Sequence, residues 1–303
     1  MKHNFLVVCG LAAVMTGAGR IAHADDEATQ LAGLVNKAAP TVVTLKIVLK
    51  SAGSQGAGQE GRIEVQGVVV DKSGLIMVSN LPFNTSRFMA LMGRGGGAET
   101  KSTLTDIKVL FAQEDKEYSA FVAATDTKLD LAFIKIDDLG DKQITAVDFS
   151  GTPSAAIGDR VIAVSRMQKG FDYAPFFASS RISGTIDKPR RAYMIEGGIG
   201  EFGLPVYSPT GAVLGVLTTV DSGVSNDSSE GSSFASSTRF LTGGGMVKAF
   251  VIASPAVNAL IAQAKIKAVT VGAERAKNKT KPAVTKAASA PTKPTDKAAG
   301  KKP

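Results

Sequence analysis

The sequence has 303 residues, a formal net charge of +8 and a hydrophobic content of 44%, with one cysteine and two histidines. Cys9, His3 and His23 all fall in the first 24 residues. If that segment is removed, the remainder has no imidazole and no thiol, which excludes a Ser-His-Asp or Cys-His nucleophile, His or Cys ligation of zinc or haem, and any disulfide.

The segment reads as one that is removed. Met1-Lys2-His3 is a short basic start, Phe5 to Ala13 is mostly apolar, and Ala22-His23-Ala24 is a small-residue cleavage site. The apolar run gives way to Thr16-Gly17-Ala18-Gly19-Arg20, short of the roughly 20 residues a spanning helix needs. Residues 1–24 are therefore expected to be a signal peptide and the chain to be exported, to a periplasmic or extracellular location. Residues 25–266 carry 23 Lys and Arg against 25 Asp and Glu, whereas 267–303 carry 10 against 2. The body is near neutral and long enough for one or two cores, and the basic charge belongs to the tail.

Acids at Asp25-Asp26-Glu27 and apolar Leu31, Leu34 and Val35 at helical spacing predict a short amphipathic helix ended by Pro40. Thr41–Leu49 is rich in β-branched residues and reads as a strand, followed by a Gly/Ser/Gln-rich loop over 51–61. Ile63–Val70, Asp71-Lys72-Ser73-Gly74 and Leu75–Val78 form a hairpin pattern. Loop chemistry over 82–105 precedes strands at Ile107–Phe111, Tyr118–Ala123 and Leu131–Ile136.

A second series follows at Ala156–Val164, Phe176–Ser183, Ala192–Ile195 and Val206–Val220. Asp221–Ser237 reads as a polar, flexible loop and Met246–Ala253 as a last strand. Ser254-Pro255 supplies an N-cap and first-turn proline for a helix bearing Val257, Leu260 and Ile261. Beyond Lys267 the Lys/Ala/Thr/Pro repeats are predicted to be disordered. Short strands, frequent turns and little helix indicate an all-β protein.

The motifs carry a resemblance. Ile199-Gly200-Glu201-Phe202-Gly203-Leu204-Pro205-Val206, with Pro209-Thr210-Gly211 opening the next apolar run, is similar to the nucleophile loop of trypsin-like serine proteases of the HtrA/DegP type. There Gly-Asn-Ser-Gly-Gly-Pro-Leu precedes a hairpin; here Phe202 stands in the serine's place. Gln66–Asn80 resembles the family's segment leading to Thr-Asn-x-His, and Pro82 occupies the histidine's slot. Asp126-Thr127-Lys128-Leu129-Asp130-Leu131-Ala132 matches Asp-x-x-x-Asp-Leu-Ala, which makes Asp130 the aspartate that orients the histidine. Ala156–Val164 and Val251–Ser254 resemble later segments of the same domain, and nothing after the helix resembles a PDZ domain.

The resemblance implies two six-stranded antiparallel barrels, one over about 40–140 and one over about 145–253, within a domain of 25–266 closed by a helix at 254–266. The tail is 267–303. It also implies a triad with Pro82, Asp130 and Phe202 in its three positions, and an oxyanion loop formed by the backbone of Gly200, Glu201 and Phe202. Serine's hydroxyl is a poor nucleophile until a base takes its proton, and Phe202 has no hydroxyl to activate.

The expected function is that of a catalytically inactive relative that binds extended polypeptide, with a second contact to anionic polymer or membrane surface through 267–303 and with no cofactor or metal. Two other readings stand beside it: a serine-type endopeptidase with a non-standard site, and an envelope-anchoring scaffold. Each residue also has a plainer reading. Asp130 caps or pairs at a strand end, Phe202 fills the vacated site or meets a ligand, Glu196 and Glu201 are solvated acids, and Ser208 with a lysine could form a dyad.

Overall fold

The computed structural model describes residues 21–51, 59–84, 102–112, 114–188, 190–218 and 250–280. The β-branched stretches separated by turn residues become twelve strands among these residues. β1 (Val42–Ser51), β2 (Gln59–Asp71), β3 (Leu75–Ser79), β4 (Ser102–Phe111), β5 (Glu117–Asp126) and β6 (Leu131–Ile136) close a barrel in the order β1-β2-β3-β6-β5-β4. β7 (Arg160–Arg166), β8 (Pro175–Ile186), β9 (Ala192–Ile195), β10 (Pro205–Tyr207), β11 (Val213–Thr218) and β12 (Phe250–Ala253) close a second in the order β10-β11-β12-β9-β8-β7. All pairings are antiparallel. The expected all-β double barrel is the observed fold.

Alternation along each strand divides the apolar residues between two destinations. Val43, Leu45 and Ile47 of β1 point into the first barrel with Val69, Ile76, Val109 and Ile134. Val42, Val68, Met77, Leu131 and Phe133 point the other way, into a third core between the barrels that also takes Leu204, Val216 and Ile252 from the second. Each such side chain, fully buried, contributes about 2 kcal/mol. The inter-barrel core thus holds the two barrels in register.

Several boundaries differ from the sequence reading, and β4 begins at Ser102, inside the stretch read as a loop over 82–105. The second barrel starts at Arg160 rather than Ala156, because Ala156–Asp159 is a turn: Asp159 N–H donates to Ala156 O (3.1 Å), Ala156 N–H to Asp159 Oδ2 (2.8 Å), and Gly158 has φ +92°. Residues 141–159 form the connection, fixed on barrel one where Val147 N–H donates to Val69 O (2.9 Å). The hairpin at Ser208–Ala212 divides the expected 206–220 run into β10 and β11.

Helix α1 (Ile21–Ala38) starts four residues before Asp25 and buries Leu34 and Ala38 against Ile162, Val164 and Tyr207. Pro40 stops it in a 3-10 turn, where Thr41 Oγ1 donates to Ala38 O (2.6 Å).

The C-terminal helix corrects the expected boundary at Ile266. α2 (Ser254–Thr280) continues 14 residues into the stretch read as disordered. Its inner face, Val257, Ile261, Ala264 and Ala268, completes the inter-barrel core, and Val271 packs at its margin. The last turns lie across barrel one, with the Arg275 guanidinium 4.7 Å from the Phe121 ring centroid and Lys265 Nζ 2.7 Å from Asp71 Oδ2. Alanines at helical spacing carried this face, and their small apolar area hid it in a lysine-rich composition. Residues 1–20 of the expected leader (1–24), residues 52–58 of the expected loop (51–61), the loop over 221–237 and residues 281–303 lie outside the described residues.

Candidate functional site

Three segments converge where the barrels meet: the end of β3, the β5–β6 turn, and the loop between β9 and β10. β3 and β6 pair from Leu75↔Lys135 to Ser79↔Leu131, and the next rung is Asn80 N–H donating to Asp130 O (2.8 Å). Asn80 then enters a 3-10 turn, Leu81–Phe83, that holds Pro82 buried. Asp130 is 2% exposed and left-handed, with φ +55°. Its Oδ2 faces Ser79 Oγ at 3.5 Å, and the same hydroxyl oxygen accepts from Leu81 N–H (3.2 Å). The turn leading to Asp130 is fixed by Leu129 N–H donating to Asp126 Oδ1 (2.8 Å) and by Thr218 Oγ1 of β11 donating to Leu129 O (2.6 Å). The second barrel therefore holds the first barrel's aspartate turn.

The third segment is pinned by glycine. Gly203 has φ +89°, and a Cβ on it would stand 2.3 Å from Ser79 N and 2.7 Å from Val78 C. Its N–H donates to Leu217 O (2.7 Å), and Leu217 N–H donates to Leu204 O (3.0 Å). The Gly200-Glu201-Phe202 backbone is thereby held as a projecting turn. The amides of these three residues donate to no backbone carbonyl among the described residues, and Gly200 and Glu201 are exposed. The half-buried Phe202 ring packs against barrel two's cluster, which includes Ala163, Tyr193, Ile199 and Val206.

Glu201 is not simply the solvated acid of the plainer reading. The residue is exposed as a whole, yet its carboxylate turns inward, accepting from Ser165 Oγ (3.4 Å) and from the backbone N–H of Gln66. Burial of the carboxylate end outweighs these bonds and raises its pKa. Ser165 and Gln66 are buried, and Thr44 Oγ1 donates to Gln66 Oε1 (3.1 Å), so a polar relay crosses between β7 and β2. Sequence reasoning missed Ser165, Thr44 and Thr218, which have no local motif, and gave Gln66 no role beyond opening the Gln66–Asn80 segment. Glu196 remains exposed, and Ser208 Oγ is engaged by Ala212 N–H (3.1 Å) and Thr210 Oγ1 (2.8 Å) inside its turn.

Residues 65–216, half of the chain, match the trypsin-like peptidase domain family. The chain belongs to that family. The match spans β2 to β11 and includes Pro82, Asp130 and Phe202, and the chain matches no curated protein. In this trypsin-like chain the two histidines of the sequence are His3 and His23. His23 lies four residues before Glu27, which pairs with Arg160 at the far end of β7 from Ser165. Among the described residues no group of three or more His, Cys, Asp or Glu could hold a metal, and no helix is long and apolar enough to cross a membrane.

Proposed function

We propose that the chain is an exported, catalytically silent relative of the HtrA/DegP-type proteases that holds extended polypeptide without cutting it. The observation that carries this reading is the nucleophile position: Phe202 offers a ring, packed on barrel two, where acyl transfer needs a hydroxyl. Pro82, fixed in a 3-10 turn, takes the place of the base, so Asp130 has no imidazole to orient. The frame around these positions supports retained binding. The Gly200–Phe202 amides, in a turn locked by Gly203, donate to no backbone carbonyl among the described residues, and backbone donors of this kind capture a peptide's carbonyls independently of the triad.

The basic C-terminal segment is the proposed second contact, with anionic polymer or membrane surface. The helix α2 takes residues up to Thr280, and the remainder of the segment, 281–303, carries six lysines and one acid.

Titration of the protein from Asp25 onward with a denatured, fluorescently labelled polypeptide tests the binding claim. Saturable binding, roughly micromolar as for small transient interfaces, is expected. Phe202→Ala should bind a few-fold more tightly if the ring covers the primary pocket. Absence of binding in both proteins would overturn the reading.

A further inference from the structure

The outer face of α2 bears a second apolar seam. Ala259, Ala262, Ile266, Val269, Ala273 and Ala276 are all exposed and recur at intervals of three, four, three, four and three residues. Ile266 and Val269 are 71% and 75% exposed, among the most exposed large hydrophobic residues described. This seam lies on the opposite side from the inner face formed by Val257, Ile261, Ala264 and Ala268. A heptad-spaced stripe is therefore exposed among the described residues.

The stripe is palindromic in both size and spacing: two alanines, the β-branched pair, two alanines. Turned end for end it presents the same surface, with Ile266 opposite Val269, Ala262 opposite Ala273 and Ala259 opposite Ala276. Such a surface is complementary to itself about a two-fold axis, the condition for an isologous contact. We propose that it is covered by α2 of a second copy of this chain, packed antiparallel across that axis.

The flanks agree with this occupant. Near the axis the bordering residues are Gln263, Thr270 and Gly272, with Lys265 already paired to Asp71 of its own barrel. In the antiparallel pair Gln263 faces Thr270 of the other copy, and no like charges meet. Alanine on both sides allows the axes to approach to the close end of the usual 8–10 Å. A seam of this length buries on the order of 800–1,000 Å² in total, below the roughly 1,200 Å² at which stable specific interfaces begin and in the range of weak, transient ones, so the association is weak.

Sedimentation velocity of the chain from Asp25 onward, from roughly 1 to 200 µM, brackets an interface of this size. A reversible monomer–dimer equilibrium is expected, and Ile266→Glu with Val269→Glu should shift it to monomer without changing the circular dichroism spectrum. Disulfide trapping provides a measurement that keeps the test open if that variant misfolds. In the antiparallel pair Ala262→Cys protein mixed with Ala273→Cys protein forms the mixed dimer, while two Ala262→Cys chains, about 16 Å apart, do not link. Linking of Ala262→Cys to itself, or a monomer at every concentration, overturns the proposal. A monomer whose binding to anionic vesicles is lost in the double glutamate variant would also overturn it and assign the face to a membrane.

Discussion

Gly203 and Ser79 come from different barrels, and their backbones touch so closely that a single methyl group on the glycine would lie 2.3 Å from the serine's nitrogen. This contact fixes the loop carrying Phe202 onto the strand end that leads to Pro82, one residue from the Asn80–Asp130 hydrogen bond. Gly203→Ala should therefore cost roughly 3 kcal/mol or more, combining left-handed strain with displacement of backbone. Gly197→Ala is the control, since its φ of +68° is similar but nothing lies within 4 Å of the added Cβ. It should lose only about 1 kcal/mol in urea denaturation.

Glu201→Gln should stabilise the protein at neutral pH. Burial raises the folded-state pKa of Glu201 above its ordinary 4.5, so the stability it contributes is present when it is protonated and lost as pH rises through the folded value. Glutamine keeps an acceptor for Ser165 and Gln66 without the charge. Unfolding curves of the two proteins should differ at pH 7 and converge near pH 4; a variant less stable than the parent at pH 7 would contradict this.

Asp71 works in the opposite sense. Partial burial raises its pKa, but hydrogen bonds from Lys265 and Ser73 outweigh that and bring it down to about 2 from 3.8. Its contribution is present above about pH 4 and lost between there and pH 2. The full shift corresponds to about 2 kcal/mol, and with Lys265 half exposed to screening solvent nearer 1 kcal/mol is expected. Asp71→Asn should flatten this limb of the acid-unfolding profile and leave the rest unchanged.

Truncation after Ile266 should destabilise the protein by about 2–3 kcal/mol, because it removes buried Ala268, part-buried Val271 and the Arg275–Phe121 contact. Truncation after Thr280 should leave thermal stability unchanged. Only the second cut isolates the basic segment for a test of anionic surfaces.

Strands were legible in the sequence because β-branched runs and turn residues are local signals, as at Thr41–Leu49 and Asp71-Lys72-Ser73-Gly74. The strand pattern alone indicates only an all-β protein; the double barrel was implied by the resemblance of the motifs around Asp130 and Gly203 to the trypsin-like family, since no single strand encodes closure. The extension of α2 was missed because Ala264 and Ala268 are weak apolar signals whose partner, the inter-barrel core, is assembled from distant strands. The inward turn of Glu201 was equally hidden: its acceptor role depends on Ser165 and Gln66, which lie 36 residues before and 135 residues before it in sequence. Positions that depend on one local pattern were readable, and positions that depend on inter-barrel geometry were not.

In the proposed reading, Phe202 and Pro82 leave the site without a nucleophile or a base, while the turn locked by Gly203 keeps its frame. Incubation of the folded protein from Asp25 onward with a serine-directed fluorophosphonate probe, read by intact mass, tests it most directly. Unchanged mass is the expected result, alongside full labelling of an active trypsin-like protease in the same buffer. Stoichiometric addition to one serine, lost on unfolding, would contradict the account.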